Sequence, residues 1–173
     1  MEQPIRVAGN IPYHITSPIL EWLIEQRALV SEAVLTVQKE VADRLLAKPG
    51  TKTWGSLTVF VSFYARVSPV CQIGRSQFWP SPKVDSTAIR LDFQKGVAVS
   101  VRSEETFFRL VRKAFQKRRK TVLNALSDDT VASLNKTRLE AYLKQAGIDP
   151  QRRPETLTLA EWAVLVELLR GVL

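Results

Sequence analysis

The amino-acid sequence predicts an α/β sheet of about four strands, mixed in direction, followed by a small all-α domain. Three observations carry that expectation. Four short apolar runs fall before residue 94, helical spacing separates the first three of them, and after Gly96 helical spacing alone remains.

Residues 6–9 read as a short buried strand. Residues 16–26 follow as a helix with Ile19, Leu20, Leu23 and Ile24 on one face. The run "AVLTV", 33–37, is a second buried strand. Val41, Leu45 and Leu46 restore helical spacing, which the loop "KPGTKTWG" interrupts through Pro49, Gly50 and Gly55 and which resumes over 57–64. Residues 67–73 form a third strand, at an edge because Pro69 cannot donate to a ladder. "TAIRLDF", 87–93, alternates as a fourth. A strand–helix–strand–helix series ending in two strands argues for a mainly parallel sheet with helices packed on it.

Past Gly96, Phe107, Leu110, Val111, Ala114 and Phe115 share one helical face, and further helices fall at 122–126, 139–143 and 159–169. Thr137 with Glu140, and Thr158 with Glu161, supply capping-box starts. The change of pattern sets a boundary near residues 95–102. The expected domains are therefore 1–98 and 99–173.

Charge narrows the function. Among 173 residues, 25 Lys and Arg face 17 Asp and Glu, leaving +8 and a pI near 9.9. Such an excess points to a polyanion, first of all nucleic acid. Anionic membrane is the rival, but no apolar run approaches the roughly 20 residues that span a bilayer. The sequence opens without a charged leader and apolar core, so a cytoplasmic protein is expected. One cysteine, Cys71, and one histidine, His14, exclude an internal disulfide and argue against a structural metal.

The stretch "GNIPY" ends the first strand, and in open sheets ligands bind beyond the carboxyl ends of strands. As a plain turn, Asn10 tolerates unusual dihedrals, Pro12 fixes its φ and Tyr13 lids the core. As a site, Asn10 offers a carbonyl acceptor, Pro12 holds a neighbouring carbonyl outward, and Tyr13 offers an aromatic face. These groups suit a flat base with an exocyclic amine, namely adenine. That amine's lone pair is delocalised into the ring; two acceptors that take its hydrogens draw the nitrogen toward tetrahedral geometry and aim the lone pair at an electrophile. No dedicated general base is then needed.

A second stretch, "SQFWPSPKVDSTAIRL" over 76–91, places Phe78 and Trp79 before a stiff Pro-x-Pro segment. Phe78 there can form the other side of a base sandwich, or simply be buried as an edge-strand cover. A third feature is basic: Arg112, Lys113, Lys117, Arg118, Arg119 and Lys120, interleaved with Phe107, Phe108 and Phe115, read either as a solvated helix face or as a contact to RNA phosphates.

Together, "GNIPYHITSPIL", "LTVQKEVADRLLAKPGTKTWGSLTVFVSFYARV", "FWPSPKVDSTAIRL", "FQKRRKTVLNAL" and "IDPQRRPETLTLAEWAVL" resemble the ribosomal-RNA adenine dimethyltransferases, the small-subunit group in particular. The resemblance implies a Rossmann-like class I methyltransferase sheet and transfer of methyl groups from S-adenosylmethionine to two adjacent adenosines, two methyls each, in a hairpin near the 3′ end of small-subunit rRNA. It implies that Asn10 and the backbone around Pro12 hold the amine, that Tyr13 and Phe78 stack on the base, and that Asn10 borders the methionine end of the cofactor. The implied partner is small-subunit rRNA or the immature small ribosomal subunit.

This sequence departs from the family at His14, usually Asn, and at Trp79, usually a smaller residue. Its glycines form no G-x-G, so the Gly-rich cofactor-binding half of the family is not recognisable. The expectation is a carboxyl-terminal part of the enzyme, inactive alone, unable to bind S-adenosylmethionine normally, and open to self-association along its first strand. Rival functions are a non-catalytic rRNA-binding module in ribosome assembly, the large-subunit methyltransferase of antibiotic resistance, and DNA adenine methylation. "PKVDS" with Asp85 and the "KRRKT" run fit the small-subunit group better.

Overall fold

The computed structural model describes residues 4–94, 96–127 and 135–171; Lys95, at the near end of the expected boundary, lies outside them. The chain divides into two compact units, one of Met1–Ala47 with Val61–Ala98, the other of Lys48–Phe60 with Val99–Leu173.

The first unit holds strands β1 (Ile5–Asn10), β2 (Val30–Gln38), β3 (Arg66–Ile73) and β4 (Ser86–Asp92) in the order β1-β2-β4-β3. β1 and β2 pair in parallel, which requires a crossover connection, and helix α1 (Thr16–Glu25) supplies it. β4 runs antiparallel to both β2 and β3. The sheet is thus mixed, and the expected mainly parallel arrangement is corrected: two of its three pairings are antiparallel, because β3 returns directly into β4 through a loop with no crossover helix.

β2 and β4 are the inner strands and carry the core, with Ala33, Leu35, Val37, Ile89 and Leu91 buried. Leu20, Leu23 and Ile24 of α1 are buried as well, the face its spacing required. Helix α2 (Lys39–Leu45) follows β2 and packs on β4. β3 is an edge strand whose register slips between Pro69 and Cys71, so the proline sits beside a bulge. β1 is the other edge among the described residues.

In the second unit α4 (Glu104–Gln116), α5 (Val122–Ser127), α6 (Lys136–Gln145) and α7 (Leu159–Leu169) surround a core of Phe107, Leu110, Val111, Leu126, Leu139, Trp162 and Leu165. The Ser103 side chain accepts from the Thr106 N–H to cap α4. Thr158 and Glu161 form the capping box that starts α7. The Thr137–Glu140 start expected for α6 is corrected: the cap lies two residues earlier, where the Asn135 side chain accepts from the Arg138 N–H at 2.9 Å. After α6, Gly147 adopts φ +73, the left-handed stop that glycine takes at least cost, and the Ile148 N–H closes back on the Leu143 carbonyl.

Residues 48–60, expected within the sheet domain, belong to this helical unit. Three contacts hold them there. The Gly50 N–H donates to the Glu155 carbonyl, Arg118 donates to the Lys52 carbonyl, and Phe60 meets Phe108 edge-to-face at 5.2 Å. Helix α3 (Ser56–Tyr64) contributes its first half to this unit and its second half to the sheet unit.

Candidate functional site

Register locates the expected site in the sheet unit. Asn10 of β1 pairs with Thr36, Gln38 of β2 pairs with Ser86, and Ser86 pairs with Ile73 of β3. The ends of β1, β2 and β3 and the start of β4 therefore share one edge of the sheet. Both sequence-predicted loops, the turn after Asn10 and the loop carrying Phe78, leave from that edge.

Asn10 is exposed, and its side chain makes no hydrogen bond with the described residues. Ile11 beside it is buried, anchoring the turn by apolar packing, and its carbonyl accepts no hydrogen bond from them. Pro12 is exposed with φ −60 and ψ 131, and its carbonyl accepts from the Ile15 N–H at 3.1 Å, which closes a short 3-10 turn over Tyr13–Ile15. Of the backbone acceptors around Pro12, that of Ile11 is the open one.

Tyr13 is half-buried, and its hydroxyl lies 2.7 Å from that of buried Ser86. The Thr16 hydroxyl donates to the Tyr13 carbonyl at 3.0 Å. The hydroxyl end of the side chain and the backbone of Tyr13 are thus both held. His14 is exposed in the 3-10 turn.

Phe78 follows a second 3-10 turn over Arg75–Gln77 and is half-buried, with extended backbone at φ −114 and ψ 149. The structure sets Tyr13 and Phe78 at the same sheet edge but not in ring contact with each other. Asp85 braces the intervening loop: its carboxylate accepts from the Arg75 N–H at 3.0 Å and its carbonyl from the Lys39 N–H at 3.0 Å. The Ser81 hydroxyl donates to the Arg75 carbonyl at 2.9 Å. Sequence reasoning noticed Asp85 but missed Ser86. Asp at a loop end is a known turn-former, whereas a buried serine entering a strand has no pattern of its own.

The basic residues lie in the second unit. Arg112 and Lys113 are on α4, but the helix ends at Gln116, so Lys117, Arg118, Arg119 and Lys120 form a turn rather than the expected helix face. Positive charge here also complements the negative end of the helix dipole, a structural role beside any functional one. Arg118 is engaged with the Lys52 carbonyl and Arg112 with that of Phe108. Arg119 and Lys120 are exposed and make no side-chain bond with the described residues. A groove of about 510 Å³ is lined by Phe115 and these turn residues. Another cleft, of about 400 Å³, lies in the sheet unit beside Leu45, Ala47, Arg66, Val67 and Ala98 and contains none of the predicted site residues.

Among the described residues no helix is long and apolar enough to cross a membrane, and no three His, Cys, Asp or Glu side chains gather as metal ligands.

The fold matches two solved methyltransferases. A dimethyladenosine transferase from Plasmodium falciparum superposes with a TM-score of 0.84 at 26% identity, covering 99% of this chain and 69% of that one. The 23S rRNA methyltransferase ErmE superposes with a TM-score of 0.70 at 27% identity, covering 97% and 66%. The sheet and its strand-end loops thus define a Rossmann-like methyltransferase architecture. The profile of the ribosomal RNA adenine dimethylase family matches residues 1–170, and the chain belongs to that family. Ribosomal RNA small subunit methyltransferase A of Anoxybacillus flavithermus is 46% identical over 166 residues, and that of Myxococcus xanthus 45% over 165. These matches cover 95% of this chain but 56% and 58% of the relatives, so the chain spans little more than half their length.

Proposed function

We propose that this chain carries the target-base and RNA-binding elements of an S-adenosylmethionine-dependent enzyme that dimethylates the N6 amines of two adjacent adenosines in a hairpin near the 3′ end of small-subunit rRNA. The observation that carries the reading is the Asn10 amide beside the Ile11 carbonyl, both without a hydrogen bond among the described residues, at the tip of a strand whose next aromatic, Tyr13, is bonded to Ser86. Family membership supplies the reaction class.

Asn10 Oδ1 and the Ile11 carbonyl each accept one hydrogen of the adenine amine. Both acceptors lie on one short segment, so the nitrogen lone pair is directed away from them. Tyr13 stacks on the base and fixes its plane, a contribution of ~1–3 kcal/mol, and orientation lowers much of the remaining barrier. Phe78 closes the second face. Asn10 borders the methionine end of S-adenosylmethionine, which when bound supplies an electrophilic methyl group on sulfur. The exposed turn at Arg119 and Lys120 holds RNA phosphates without reading sequence.

A second reading, a non-catalytic rRNA-binding module in ribosome assembly, rests on the basic turn and groove, which need no cofactor. Incubation with immature small subunits and methyl-labelled S-adenosylmethionine, using this chain alone and joined to the cofactor-binding half of a relative, separates the readings. Labelled dimethyladenosine from the joined protein that disappears in Asn10→Ala supports the enzyme; tight subunit binding with no incorporation by either form supports the module.

A further inference from the structure

The loop between β3 and β4 displays an indole that the base-binding reading leaves unused. Trp79 is 99% exposed, although burying an aromatic side chain of this size normally removes 150–250 Å² from water. The loop that presents it is braced by the Arg75–Asp85 and Ser81–Arg75 hydrogen bonds and stiffened by Pro80 and Pro82. Phe78 is half-buried with extended backbone while the next residue, Trp79, is almost wholly in water, so the two rings have different surroundings. Ser76, Gln77, Ser81 and Lys83 around it are exposed and polar, with Val84 the other exposed large apolar side chain of the loop. An isolated indole among polar and basic groups suits a single nucleobase and its phosphate rather than an apolar protein patch.

We propose that Trp79 is a binding residue for a nucleotide flanking the target adenosine, its indole stacking on that base while Arg75 and Lys83 lie near the backbone phosphates. The inference rests on the base-binding reading above and adds a second stacking position outside the target pocket.

The test uses this chain and an RNA hairpin with two adjacent adenosines in its loop. Trp79→Ala should weaken binding by about tenfold, as loss of one stacked base does, with an unchanged salt slope, and Trp79→Phe should retain most of the affinity. Replacing the flanking nucleotide with an abasic one should remove the Trp79→Ala effect, whereas an effect that persists on the abasic RNA overturns the assignment. Unchanged affinity in Trp79→Ala while Tyr13→Ala weakens binding overturns the Trp79 assignment and leaves the base site standing. Trp79→Ala that alters sedimentation but not RNA affinity also overturns it, marking the indole as a protein contact. If neither Tyr13→Ala nor Trp79→Ala changes affinity, the base-binding reading fails with it.

Discussion

The hydroxyl of Tyr13 lies 2.7 Å from that of Ser86, so the turn that ends the first strand is tied to the first residue of the fourth. The bond reaches past β2, the strand between them, and ties down the hydroxyl of a tyrosine that otherwise sits in a turn. Ser86 is 1% exposed, so its hydroxyl has no easy recourse to water if the partner is lost.

Tyr13→Phe should therefore destabilise the sheet unit by about 1–2 kcal/mol, the cost of stranding a buried hydroxyl. Adding Ser86→Ala should restore part of that loss. Urea unfolding of the two single variants and the double variant checks it; strictly additive effects would show that the two hydroxyls are uncoupled.

The turn after α4 should dominate the salt dependence of RNA binding. Replacing both Arg119 and Lys120 with Gln removes two exposed charges and should lower the slope of log affinity against log salt by roughly 1.4–1.8, at ~0.7–0.9 per phosphate contact. Arg118→Gln is less clean, because it also cuts the bond to the Lys52 carbonyl. Titrations of one hairpin RNA between low and physiological salt give the slopes.

Glu161 links α7 to the segment before it. Burial alone pushes its carboxyl pKa up, but the hydrogen bonds from Arg152 and from the Thr158 backbone and hydroxyl outweigh that and hold it below the ordinary carboxylate range. A depressed folded value means that the carboxylate's stabilisation is full above the unfolded-state pKa and is lost as pH falls through the folded one. Glu161→Gln should accordingly be destabilised near neutral pH, with the gap from the parent chain closing as the solution is acidified. Thermal unfolding across pH 3–7, a range set about the ordinary carboxylate pKa, checks the sign.

Helix α6 offers a local comparison. Asn135→Ala should cost about 1 kcal/mol by removing the cap on the Arg138 N–H, while Thr137→Ala, inside the exposed first turn, should change stability by less than about 0.5 kcal/mol. Denaturant midpoints of the two variants decide which residue starts the helix.

Much of this fold was legible because it follows from short-range rules. Short apolar runs named all four strands, although β1, expected to be buried, is exposed to half-buried along its length; the Leu20–Leu23–Ile24 spacing named the buried face of α1, and Thr158 with Glu161 named the start of α7. The α6 start was misread because Asn135 and Thr137 are both good caps, and only the path of the backbone distinguishes them. The basic run was misread as helix because its residues are all good helix formers, yet α4 stops at Gln116 and the chain turns so that Lys120 N–H reaches the Lys117 carbonyl.

By itself, the sequence determined the candidate groups: an amide, a proline-set backbone and two aromatics in the sheet unit, and a concentrated positive charge in the helical one. Tertiary structure decided which of these groups are available. Register brought the loop of Phe78 to the sheet edge of Asn10, the Ser86 hydroxyl locked Tyr13, and loop bracing left Trp79 in water while Arg118 was drawn onto a carbonyl. The physical reason is range: propensity and periodicity act over a few residues, whereas the availability of a side chain depends on partners that can be 73 positions away.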